Sequence, residues 1–236
     1  MMQPFAPYCG PAPLPDNLWM SWNTDPAIIL ALLAAAALTP FVQGSRLSWM
    51  GGILVLAVAF LSPICAMASA LFSVRVLHHV LIVAVAAPLL VMGARLHAKS
   101  DGPAFISHLA AIWIWHMPQP YSAALGSDAI YWLMEVSLLG TGIWLWAAMM
   151  APGRAGRGIA MSLATLLQMG MLGALLTFAS RPLFAAHATT TYAFGFSPLE
   201  DQQLAGLLMW APAALPYIGF ALHSLCANIL PQREGQ

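Results

Sequence analysis

The chain has 236 residues, of which 61% are hydrophobic and 7% charged, with eight Lys and Arg balancing eight Asp and Glu. Soluble domains carry about 25% charged residues, so a soluble fold is excluded, and a formal net charge of zero gives no footing for nucleic acid or for a polybasic hold on anionic lipid. The expectation is an all-α polytopic membrane protein, a single bundle of apolar helices joined by short loops.

Residues 1–25 hold Pro4, Pro7, Pro11, Pro13 and Pro15, with no Lys, no Arg and no early apolar run. They lack the pattern of a signal peptide and read as a retained, extended extracytoplasmic tail. Asp25 followed by Pro26 is a helix start, an N-cap and then a proline whose missing N–H costs nothing at that position. Trp19 and Trp22 suit the membrane interface. Apolar spans are expected at about 26–42, 47–63, 70–94, 103–117, 128–150, 158–179 and 201–230. That predicts a seven-helix transmembrane domain over 26–230, followed by a tail at 231–236. Pro88, Pro212 and Pro216 fall inside spans, which membrane helices tolerate when neighbours satisfy the freed carbonyl. Gly140 with Gly142, and Gly170 with Gly173, suit close helix approach.

Lys and Arg in alternate loops set the expected orientation. One set of ends carries Arg46, Arg95, Lys99, Arg154, Arg157 and Arg233, and the other only Arg181. By the positive-inside rule the amino terminus lies outside and the carboxyl terminus in the cytoplasm, and the membrane is expected to be a bacterial-type plasma membrane. Arg75, the remaining positive residue, falls within a span.

With that topology the polar residues sort by depth. Arg75, His78 and His79 share one face of the third helix, since positions three and four apart stack together. A charge at the bilayer centre costs roughly 2.5 to 3.5 kcal/mol on insertion scales, so this face must look inward. Trp115, His116 and Met117 reach the same outer half from helix four, Asp128, Tyr131 and Glu135 from helix five, and Asp201, Gln202 and Gln203 from helix seven. Met67, Met134, Met209 and His187 lie at similar levels, whereas His97, His108 and His223 form a looser inner group.

Two readings of the outer group stand side by side. Imidazole and thioether ligands suit copper, above all Cu(I), which nominates His78, His79 and His116 with Met134 and Met209. Alternatively these groups hydrogen-bond one another and tie helices together. Arg75 is expected to pair with Glu135, with Asp201 as the next partner. Cys9 and Cys65 both fall on the outer, oxidising side and form a disulfide candidate; Cys226 lies near the inner end as apolar filler.

The run LFSVRVLHHVLIVAVAAPLLVMG resembles the third-helix signature of the CtaG-type cytochrome c oxidase assembly factors, approximately F-S-x-H-M-x-Q-H-L-L followed by A-A-P-L-L-V-L-G. WNTDP at Trp22 to Pro26, WHMPQPY at Trp115 to Tyr121 and DQQLAGLLMWAPAALPY at Asp201 to Tyr217 are similar to further motifs of that family. The resemblance implies a role in maturing a haem-copper oxidase, with oxidase subunits as partners, copper supply as a mechanism and no catalysis. The chain departs from the pattern where Arg75 and Val76 replace a His and a Met, where His78 replaces a Gln, and where Val136 replaces a His after Glu135. A guanidinium is always charged and cannot ligate a metal. The site is therefore either rebuilt around His78, His79 and His116 or kept as a structural face. The alternative is a transporter or channel for a metal or small solute, using the outer and inner groups as successive stations. A bis-histidine haem protein would pair His79 with His116. No hydrolase or redox motif occurs, so an enzyme is not expected.

Overall fold

The structure, a computed structural model, describes residues 7–229, and every regular element among them is helical. Helix α1 (Pro26–Ala37) begins as the sequence predicts, with Asp25 Oδ1 accepting the Ala27 N–H at 2.7 Å and Pro26 in the first turn. Helix α2 (Arg46–Leu61) is capped by Ser45, and α3 (Pro63–Ala70) by Ser62. The two meet at a 50° bend. Here the expected span 47–63 is corrected. Pro63 cannot donate back into the preceding turn and holds Ser62 extended, so the chain turns and runs a further two turns as α3.

Helix α4 (Phe72–Ala94) is the central rod. Its middle, Leu81–Ala86, is π-helical, and the Ala87 N–H donates to the Ile82 carbonyl. The cause is Pro88, which offers no N–H to the turn before it. The widened turn leaves a carbonyl for another donor, and the Trp146 indole takes that of Val83 at 2.8 Å. Arg95, in the left-handed region at φ 54°, ends the helix.

Then come α5 (Asp101–Trp115), α6 (Pro118–Leu125), α7 (Asp128–Met149), α8 (Ala155–Thr177), α9 (Pro198–Trp210) and α10 (Ala214–Ile229). Ser197 and Glu200 form a reciprocal capping box at the start of α9. Pro212 interrupts α9 and α10, which otherwise make one apolar run over 198–227.

Among the described residues, four helical stretches are long and apolar enough to cross a bilayer: Phe72–Ala94, Asp128–Met149, Ala155–Thr177 and Pro198–Ala227. The bent pair α2 and α3 would make a fifth as one span. Helices α1 and α5, at 12 and 15 residues, are shorter than that. Arg233 and the tail at 231–236 lie outside the described residues.

The bundle wraps α4, whose apolar window is 72% buried against 33% for the 198–227 run. Helices α2, α3, α7 and α9 pack against it. Helices α8 and α9 cross closely at Gly173 and Gly206, where a Cβ on Gly206 would stand 2.5 Å from the Gly173 carbonyl oxygen. Gly140, by contrast, faces open space.

Residues 7–25 fold back over the bundle instead of extending from it. A disulfide joins Cys9 to Cys65 with Cα atoms 5.2 Å apart. The Tyr8 ring stacks on Tyr131 and meets Trp132 edge-on, both at 5.0 Å. Its hydroxyl donates to Asp25. Burial and that bond raise the Tyr8 pKa above the usual phenol range, and the same bond lowers that of Asp25.

Candidate metal centre

Helical spacing on α4 carries Arg75, His78 and His79 to one face, and α7 brings Glu135 opposite them. The four are 0%, 0%, 3% and 2% exposed, so none of their charge is solvated by water outside the bundle. Arg75 Nη1 donates to Glu135 Oε1 at 3.3 Å. His78 Nδ1 and His79 Nε2 approach the same oxygen at 3.7 and 3.5 Å. One carboxylate oxygen thus faces three nitrogen groups. The remaining atoms are unsatisfied: Glu135 Oε2, Arg75 Nε and Nη2, and both ring nitrogens of His78 and His79 make no hydrogen bond. Each buried orphan costs about 1 to 3 kcal/mol; of the seven, Glu135 Oε2 and one nitrogen of each neutral imidazole offer lone pairs, whereas Arg75 Nε and Nη2 only donate.

The surroundings orient these groups. The Arg75 guanidinium lies 5.3 Å from the centre of the Tyr131 ring, a cation–π contact. Phe60 meets the His78 ring edge-on at 5.0 Å. His116, closing α5, has Nδ1 2.7 Å from the Ile112 carbonyl. A carbonyl only accepts, so Nδ1 carries the hydrogen and Nε2 keeps its lone pair, the tautomer that metal-binding imidazoles adopt. Its ring centre is 5.6 Å from that of His79.

His78, His79 and Glu135 can each offer a donor atom with all three atoms within 4.8 Å of one another. Two neutral imidazoles and a carboxylate fit a transition-metal cation in donor chemistry. The sequence placed Glu135 here as a charge partner and did not name it among the candidate ligands. The signal was present in Tyr131 and Glu135, four apart on α7 and so on one face.

Other expected residues go elsewhere. Asp201 does not pair with Arg75: its oxygens accept the N–H groups of Phe72 at 2.7 Å and Ser73 at 3.2 Å, together with the Ser73 hydroxyl. It caps α4, whose own preceding residue, Leu71, has no side-chain acceptor. Met134 is fully buried one position before Glu135, hence turned roughly 100° away around the helix. Met209 lines a separate cavity of about 250 Å³ with Leu166, Met169 and Trp210. His97 and His223 are exposed, and His108 is buried against Thr141. Cys226 is a free, exposed thiol.

His187 belongs to a second polar group in the 181–197 loop. Its Nδ1 lies 3.2 Å from the Ala70 carbonyl and its Nε2 accepts from the Tyr121 hydroxyl at 2.7 Å. Thr190 donates to the same carbonyl at 2.6 Å. Burial lowers the His187 pKa to about 4.

These features define a helical membrane protein with a buried, electrically balanced polar centre. The family model described as cytochrome c oxidase caa3 assembly factor (Caa3_CtaG) matches residues 27–102 and 101–228. The chain belongs to that family. No curated protein and no solved structure matches it.

Proposed function

We propose that this protein assists maturation of a caa3-type cytochrome c oxidase by holding copper as cargo at the centre formed by His78, His79 and Glu135, with His116 beside it. The observation that carries the reading is the convergence of one donor atom each from His78, His79 and Glu135 within 4.8 Å, all three residues buried, with Glu135 Oε2 and the ring nitrogens of both histidines making no hydrogen bond. The ion supplies the positive charge that these lone pairs lack. The imidazoles bind through neutral nitrogens, Glu135 contributes one carboxylate oxygen, the Ile112 carbonyl orients His116, and α2 with the folded tail keeps bulk water away. Met134 and Met209 have no place in this donor set.

The protein crosses a bacterial-type plasma membrane seven times, with α1, the bent α2 and α3, α4, α5, α7, α8 and the interrupted α9 and α10 as crossings. Support comes from the Lys and Arg bias, which needs odd parity to fall on one side, and from the Cys9–Cys65 disulfide, which suits an oxidising outer face. The centre then lies toward the outer half, where it can meet an oxidase subunit. An assembly role makes the protein a binding partner and not a catalyst.

Cu(I) binding by purified protein under reducing conditions, together with oxidase activity in a deletion strain complemented with His79→Ala, tests the proposal. The expected outcome is Cu(I) uptake by wild type, with uptake and maturation both lost in the variant. A wild type that takes up no Cu(I), or a His79→Ala protein that matures the oxidase normally, overturns it. Impermeant labelling of a single cysteine placed in the 181–197 loop of intact cells tests the orientation; absence of labelling there refutes it.

A further inference from the structure

We infer that Arg75 selects the charge of the ion at this centre, admitting a monovalent soft cation and turning away divalent ones. The inference rests on the metal reading above. Donor atoms alone do not supply that choice. Two imidazoles and a carboxylate hold Zn(II) and Cu(II) as readily as Cu(I), and along the first-row divalent series such sites favour Cu(II). Something besides the donor set must discriminate.

The electrostatics of the pocket can. Its charged side chains are Arg75 from α4 and Glu135 from α7, with His78 and His79 neutral as ligands must be. Asp201, the other buried carboxylate among the described residues, spends its oxygens on the start of α4. Arg75 and Glu135 therefore cancel, and an entering ion leaves the pocket with the ion's own net charge. The solvation penalty of a buried charge grows with its square, so a divalent ion meets about four times the penalty of a monovalent one.

Arg75 cannot avoid this by losing its proton or moving to water. A guanidinium stays charged, the side chain is 0% exposed, and it is held between Glu135 at 3.3 Å and the Tyr131 ring. With an ion at roughly 5 Å and an effective dielectric constant of about 20, Coulomb repulsion from one fixed charge lowers affinity by about a hundredfold per unit of ionic charge. A divalent ion feels it twice. Arg75, which cannot ligate, thereby acts as a specificity residue.

The experiment compares Cu(I) and Zn(II) affinities of the full-length protein in detergent, by competition with chelators of known affinity. Wild type is expected to hold Cu(I) and to bind Zn(II) on the order of ten-thousandfold more weakly than Arg75→Met does. Arg75→Met should gain about a hundredfold more in Zn(II) affinity than in Cu(I) affinity, Arg75→Gln should behave likewise, and Arg75→Lys should keep the wild-type ratio. His79→Ala in each background confirms that the ions counted sit at this centre. Wild type that binds Zn(II) as tightly as Cu(I) overturns the inference without any variant. So does an unchanged ratio in whichever neutral variant folds. If wild type binds Cu(I) but the ratio does not respond to Arg75, the selectivity inference falls and the copper reading stands. If wild type binds neither ion, both fall.

Discussion

The Arg75–Glu135 pair makes the sharpest stability prediction. The side chains are 0% and 1% exposed and the shared contact is 3.3 Å. At an effective dielectric constant of about 20, opposite charges at that distance attract by about 5 kcal/mol, against which each ion has paid several kcal/mol of desolvation. The pair's net contribution is therefore small, while removing one partner strands the other. Arg75→Leu and Glu135→Leu should each cost about 3 to 5 kcal/mol, and the double substitution should recover most of one of those losses, giving a coupling of at least about 2 kcal/mol. The assay is thermal stability of detergent-solubilised protein, read as surviving monodisperse material after heating, for the four members of the cycle. Losses that add would refute the pairing as an energetic unit and leave the 3.3 Å contact incidental.

Three further outcomes follow from the packing and the loop. Gly206→Ala places a Cβ 2.2 Å from Thr177 Oγ1 and 2.5 Å from the Gly173 carbonyl oxygen, so it should drive α9 from α8 and lower stability by about 1 to 3 kcal/mol; an unchanged melting temperature would contradict the close crossing. Cys9→Ser should remove about 2 to 5 kcal/mol through loss of the disulfide and make residues 7–25 sensitive to protease, and equal protease resistance in the two proteins would show that Tyr8 alone holds the tail. The His187 pKa is lowered from 6.5 to about 4 by burial, so the undocked loop binds a proton first as pH falls: docking is fully stable above about 6.5 and weakens through the window down to about 4, by about 3 kcal/mol in all. Protease nicking of the 181–197 loop should rise across that window in wild type and stay flat in His187→Gln; a parallel rise in the variant would assign the effect to other groups.

Much of the fold could be read from composition and period. The start of α1 follows from Asp25 and Pro26, and the clustering of Arg75, His78 and His79 follows from three- and four-residue spacing, because both are local rules. What escaped was set by contacts distant in sequence. Nothing near Asp201 says that it will cap α4, more than a hundred positions earlier; an ionisable residue at a helix level suggested an ion pair, and a helix start without its own cap claimed it instead. The break at Pro63 was visible as a proline, but only the extended Ser62 before it turned a span end into a bend. The return of the tail was legible in the pairing of Cys9 with Cys65, but the aromatic face of Tyr131 and Trp132 that receives Tyr8 lies too far along the chain to be read from the tail itself.

The same logic explains why the polar centre sits on α4 and at this place along it. A buried cluster of ionisable groups needs a helix surrounded on most sides, and α4 is the apolar helix with the most buried window. It also needs a fixed direction for its side chains. Asp201 fixes the start of the helix, just before Arg75, while the π-helical turn begins at Leu81, two residues after His79. A π turn shifts the helical face relative to the residues beyond it, so the ionisable face of 75–79 and the apolar face of 87–94 need not point the same way. The turn persists because Pro88 frees the geometry and Trp146 of α7 satisfies the Val83 carbonyl. Helix α7 thereby holds α4 at two levels, through Glu135 at the polar centre and Trp146 below it, and the orientation of the centre becomes a property of that pair of helices.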